Sequence, residues 1–307
     1  MKISTSQLYD SAITQMNRQQ SNVAEMQAKL AAGKSLVKPS DDAEKATLIQ
    51  RLNSAMQQQD AYELSLNRAD SRLRMEETAL SSVQDMLQRI RELAIQGNSD
   101  TLSGADRNII AKEVSSLRDA LFSLANTEDE SGNYLFSGTS VKTPAFSKNI
   151  NGVIAYGGNQ NQTSVDISES RSVRINRPGD DVFGGVTREN NDGDAESISF
   201  FKVIADFTLA LEDGNKASIS RGLTEVSLLT DDMALSLADV GSRLSTIDSQ
   251  RAILADTKLR YQELLSNAED LDYATAVTRL SAQILSLEAA QASFAKVSQL
   301  NLFNYLR

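Results

Sequence analysis

From Asp41 to Gln96 the chain contains no glycine and no proline, so no residue in this stretch has to break a helix. Leu48, Leu52, Ala55, Tyr62, Leu66, Ala69, Leu73, Leu80, Val83, Leu87, Ile90 and Ala94 fall at alternating spacings of three and four. That is the seam of a coiled coil, with Gln59 and Glu76 as polar breaks. At about 1.5 Å per residue the helix is roughly 80 Å long. A compact domain made from the whole chain has a radius of gyration near 19 Å by the usual scaling. The stretch is too long for a globule and points to a rod.

The flanks continue the pattern. A helix is expected from Ser4 to Ala32, with a narrow stripe of Tyr9, Met16, Val23 and Leu30 in a field of Gln, Asn and Ser. Gly33 suits the stop, and Ser40 or Asp41 suits the cap of the next helix. After Gly97 a further start at Ser103 and Asp106 precedes the stripe Ile110, Val114, Leu117, Leu121 and Leu124, an antiparallel neighbour of the long helix. From Glu130 the helical period disappears. Val165 and Ile167 alternate with polar residues, as do Val173 and Ile175, and Ser168 to Arg171 suits the turn of a hairpin between them. Helical pattern returns with Phe200, Val203, Ile204, Phe207 and Leu211, closed by Gly214. A second long helix is then expected from about Ser218 to the end. Its last part carries Val277, Leu280, Ile284, Leu287 and Phe294, followed by the apolar terminus with Leu302, Phe303 and Leu306.

The expected fold is mainly α. A long coiled-coil helical bundle is formed by both chain ends, with a small inserted β-rich domain. Residues 1–40 and 265–307 form a terminal assembly segment, 41–130 and 197–264 a helical rod, and 131–196 the β-rich insert. Isolated narrow-striped helices are marginal in water. The stripes at the two ends, Tyr9, Met16, Val23, Leu30, Val277, Leu280, Ile284, Leu287, Phe294, Leu302, Phe303 and Leu306, are therefore read as an interface that other chains complete.

Composition excludes much chemistry. Net charge is −10 and the pI about 4.7, which disfavours nucleic acid and anionic membrane surfaces as partners. With no cysteine and no histidine, the chain lacks thiolate chemistry, the usual near-neutral base and the commonest metal ligand. No apolar run reaches the length of a membrane span. The first residues lack the blocks of a cleaved signal peptide, so an exported chain would leave by another route. Fragments of catalytic motifs read as bland features. Gly33-Lys34-Ser35 lacks the first glycine of a phosphate loop and reads as a helix stop. Ser35-Leu36-Val37-Lys38 lacks its companion motifs. Asp41-Asp42 reads as a capping pair and Glu76-Glu77 as a solvated face, since helix neighbours point to different faces. Asn161-Gln162-Thr163 is a sequon by pattern alone. No enzyme, cofactor or metal is expected.

Leu30-Ala31-Ala32-Gly33-Lys34-Ser35 with Pro39-Ser40-Asp41-Asp42, and the later block Arg89-Ile90-Arg91-Glu92-Leu93-Ala94, resemble the signatures of the bacterial flagellin family. Pro39 to Ala43 and Asn133-Tyr134-Leu135-Phe136-Ser137-Gly138 look more like its hook-filament junction members than like flagellin itself. Ala43 departs from many relatives, which have proline there. The resemblance implies paired chain ends lining a hollow tube and a β domain facing outward. It implies a structural adaptor of the bacterial flagellum, exported by the flagellar type III apparatus without cleavage. Its implied partners are copies of itself, hook-associated protein 1, flagellin, transiently the filament cap protein, and a cytoplasmic export chaperone at the C-terminal helix. The alternatives are a flagellin filament subunit and, from another class, a hydrolase carried on a helical stalk.

Overall fold

A computed structural model describes residues 2–189 and 195–305. It is mainly helical with small β hairpins, as the sequence pattern requires. The chain divides into two compact units. One takes residues 1–58 and 255–307, the other residues 59–254.

In the first unit, α1 (Lys2–Ala32) pairs with α7 (Tyr273–Tyr305). Tyr9 meets Phe294 near one end of the pair and Lys34 bridges Asp270 at the other, so the helices are antiparallel. Gly33 ends α1 with φ +69°, and a Cβ there would come within 2.8 Å of the Tyr273 hydroxyl. Only glycine meets both conditions without strain. The Leu271 amide donates to the Gly33 carbonyl (3.1 Å) and the Ser35 amide to the Glu269 carbonyl (2.7 Å). Lys34 adds an ion pair to Glu269.

Two expected boundaries need correction here. The cap of α2 (Ala43–Gly97) is Asp42, whose Oδ1 accepts from the Lys45 amide at 3.0 Å. Asp41 is instead used by the preceding turn, where it accepts from the Lys38 amide. Ala43 is thus the first helical residue, the position where proline is tolerated as well. The second long helix is also not continuous. It is α6 (Lys216–Glu269) and then α7, separated at Asp270-Leu271-Asp272. Asp272 restarts the helix by accepting from the amides of Ala274 and Thr275 and from the Thr275 hydroxyl.

The second unit holds most of α2 and α6 with everything between them. Asp70 lies 3.7 Å from Arg251, and Lys216 pairs with Asp100, so these helices run antiparallel. α3 (Gly104–Ala125) starts in a full capping box between Ser103 and Asp106. It runs back along α2, where Arg89 reaches Glu113 at 2.8 Å. Three antiparallel hairpins follow: β1 (Phe146–Lys148) with β2 (Ile154–Tyr156), β3 (Ser164–Ser168) with β4 (Arg171–Arg174), and β5 (Val186–Glu189) with β6 (Ala195–Ile198). Between the second and third lies the one-turn α4 (Gly179–Val182). In the expected hairpin Val165 pairs with Val173 and Ile167 is fully buried. Phe136, Phe146, Phe183, Phe200 and Phe201 pack mostly edge to face at 5.1–5.4 Å, joining the hairpins to α5 (Phe200–Asp213). Gly222 of α6 is required here too: a Cβ would come within 2.5 Å of the Phe207 ring.

The core is unevenly shared. From Leu66 on, the α2 seam is closed: Leu66, Ala69, Leu73, Leu80, Val83, Leu87, Ile90 and Ala94 are fully buried. Towards its start the seam opens, and Leu48 is 47% exposed.

Candidate assembly interface

Among the described residues the contiguous hydrophobic core begins at Leu66, ends at Leu254 and takes none from the first unit. Among the described residues, the buried apolar side chains of that unit are Val23, Leu52, Ala268 and Ala276. Two alanines, one valine and one leucine cannot form a core at about 25 cal/mol per Å2 of buried apolar surface.

The expected interface residues fall as follows. Val23 is buried, and Tyr9, Met16, Leu30, Leu280, Ile284, Leu287 and Phe294 are half-buried. Val277 is exposed. Leu306 and the side chains of Leu302 and Phe303 lie outside the described residues. The structure joins part of the set within the chain. The rings of Tyr9 and Phe294 meet edge to face, 5.5 Å between centroids and 86° between planes. Beside them Ala12, Gln15, Met16, Ala290 and Ser293 complete the wall of an apolar cavity of about 210 Å3. Other apolar side chains are open: Ile13 on α1 and Val277 and Leu285 on α7 are exposed, the last at 67%. A second cleft, of about 540 Å3, lies between the 34–39 loop and the start of α2, lined by Leu36, Val37, Pro39, Ala46 and Ile49 with Lys34 and Lys38 at its edge.

The second unit carries buried charge that the sequence did not reveal. Arg188 of β5 forks onto Glu225 of α6 (Nε 2.7 Å, Nη2 2.8 Å) and reaches Asp206 of α5 at 2.6 Å. Burial opposes ionisation of Asp206, but the hydrogen bonds from Arg188 and Lys202 prevail and hold its carboxyl below the usual range. Arg72 of α2 donates to the Ile175 and Leu135 carbonyls and to Asp129. Asn133 donates to both Asp129 oxygens, so the Asn133–Gly138 turn is fastened to α2. Glu76 is 3% exposed, which overturns the solvated-face reading. Among the described residues no acidic or histidine cluster suits a metal ion, and no helix is long and apolar enough to cross a membrane.

Residues 3–141 match the bacterial flagellin N-terminal helical region. Flagellar hook-associated protein 3 of Escherichia coli is 27% identical over 99% of both chains. The chain is thus similar to flagellar hook-associated proteins along its whole length and to the flagellin N-terminal region over residues 3–141. Flagellar hook-associated protein 3 of Salmonella typhimurium is 24% identical over the full length of both chains. The flagellar junction protein of Legionella pneumophila shares the fold, with a TM-score of 0.63 at 18% identity, covering 74% of this chain and 100% of that one. Flagellins also match: that of Bacillus subtilis is 25% identical over 94% of both chains.

Proposed function

We propose that this chain is a non-catalytic structural subunit of the bacterial flagellum, an adaptor joining the hook-associated protein ring to the flagellin filament. The observation that carries the reading is end-to-end likeness to flagellar hook-associated protein 3, combined with a terminal helix pair whose described residues bury almost no core of their own. Burying one leucine or phenylalanine side chain is worth about 1.5–3 kcal/mol. A subunit that leaves such surface open on α1 and α7 gains it when copies stack. The assembly interface comprises Tyr9, Met16, Val23, Leu30, Val277, Leu280, Ile284, Leu287 and Phe294, continued by Leu302, Phe303 and Leu306. The partners are further copies, hook-associated protein 1, flagellin, transiently the filament cap protein, and an export chaperone at the C-terminal helix. The protein is exported without cleavage and works outside the cell. Residues 1–40 with 265–307 serve assembly, 41–130 with 197–264 stiffen the subunit, and 131–196 form its outer face.

A strain lacking the gene tests this. It should build hooks, shed unattached flagellin and fail to swim, and the wild-type gene should restore filaments. An Ile284→Asp, Leu287→Asp double variant should be secreted yet fail to restore them. Filaments attached normally in the deletion strain would remove the adaptor role. Long filaments grown from the purified chain alone would favour the flagellin reading instead.

A further inference from the structure

Glu76 sits on the α2 seam with its Oε1 buried and without a hydrogen-bond partner. Cations surround it, but each is held elsewhere. Arg72, on its own helix, is taken by Asp129 and two carbonyls. Arg177, from the segment after β4, donates to the Ser236 and Asp181 carbonyls and lies 3.6 Å from Asp239. Arg243, facing from α6, is paired with Asp239, the acidic neighbour on that helix, and its Nε and Nη1 are buried without partners. The Arg174 guanidinium on β4 adds repulsion to Arg243. Three arginines therefore lie near the carboxylate and none closes an ion pair on it. A buried charge without a bonded partner is costly, and taking up a proton removes that cost.

We infer that Glu76 is a built-in proton-responsive weak point of the α2–α6 helix pair, loosening it when ionised and tightening it when a proton is bound. Burial, only partly offset by Arg243, Arg177 and Arg72, raises the carboxyl from 4.5 to about 7. The folded chain then binds this proton more tightly than the unfolded chain does. Stability is gained as pH falls from about 7 to 4.5, the reverse of an ion-paired carboxylate. Between pH 8 and pH 5 the folding equilibrium constant should rise by about 70-fold from this group alone.

Urea unfolding of the full chain, followed by circular dichroism at pH 5 and pH 8, reads this directly. The wild type should be markedly more stable at pH 5. Glu76→Gln, which keeps the shape and removes the titration, should be nearly equal at the two values. A Glu76→Gln variant that keeps the wild-type pH dependence overturns the inference. Because the substitution could disturb folding, the side-chain carbon of Glu76 in the unmodified protein provides a second readout by NMR. A midpoint near 7 supports the inference, and one near 4.5 overturns it.

Discussion

At the scale of single residues, Arg188 shows most plainly what fastens the second unit. Its side chain is 15% exposed and that of Glu225 is 7% exposed, so the fork between them is shielded from water. Removing one partner of such a pair leaves the other charge buried and uncompensated. Arg188→Ala should cost about 3 kcal/mol in urea unfolding. Arg188→Lys should recover only part of that, because an ammonium group cannot fork. Glu76 and the paired acids act in separate pH windows. Asp129 and Asp206 are held below their ordinary value of 3.8, against burial, by hydrogen bonds, those of Asp129 coming from Asn133 and Ser131. Their contribution is present above 3.8 and lost as pH falls through their lowered folded values. The Glu76 contribution runs the other way and is complete only near 4.5. Melting temperature plotted against pH should therefore peak at about pH 4.5 and decline on both sides.

At the scale of elements, the open pairing of α1 with α7 contrasts with the closed seam of α2 after Leu66. Local stability follows buried apolar contact. In hydrogen exchange on the dissociated chain, amides of α1 and α7 should exchange within the earliest time points, while those from Leu66 to Ala94 persist longest. Equal protection of both would contradict the uneven core. These elements were largely legible in the sequence. The three-four spacing marks the buried seam from Leu66 to Ala94, though not at its start, where Leu48 is exposed; the Ser103–Asp106 pair marks the start of α3, and period-two alternation the β3–β4 hairpin. The break before α7 was missed because it contains neither glycine nor proline. Its signal was Asp272 with Thr275 three residues on, a cap hidden inside an otherwise helical period. The solvated-face reading of Glu76-Glu77 fails at Glu76 because that residue also holds a seam position, as the polar break between Leu73 and Leu80. Arg188, Asp206 and Glu225 lie on three separate elements, and no local pattern brings them together.

At the scale of the whole molecule, the two units differ in how much of their stability is their own. The contiguous core lies between Leu66 and Leu254, so residues 59–254 hold what cooperative folding needs. A fragment of those residues should unfold cooperatively, with a midpoint within a few degrees of the main transition of the full chain. A fragment of the termini alone should remain largely unfolded. Loss of cooperativity in the first fragment would show that the terminal helices support the core after all. The acidic net charge fits this division, since it keeps separate copies soluble while their apolar stripes are still uncovered.

The backbone bonds that join Gly33 and Ser35 to Leu271 and Glu269 act as a clasp closing a very long loop of chain. The entropy of closing such a loop grows only with the logarithm of its length, about 0.6 kcal/mol for each doubling. The enclosed chain is thus nearly free to lengthen or shorten without unfastening its ends. A guest domain spliced into the Glu169–Ser170 turn should leave the terminal helices paired, so subunits carrying very different decorations could still be built on the same two ends.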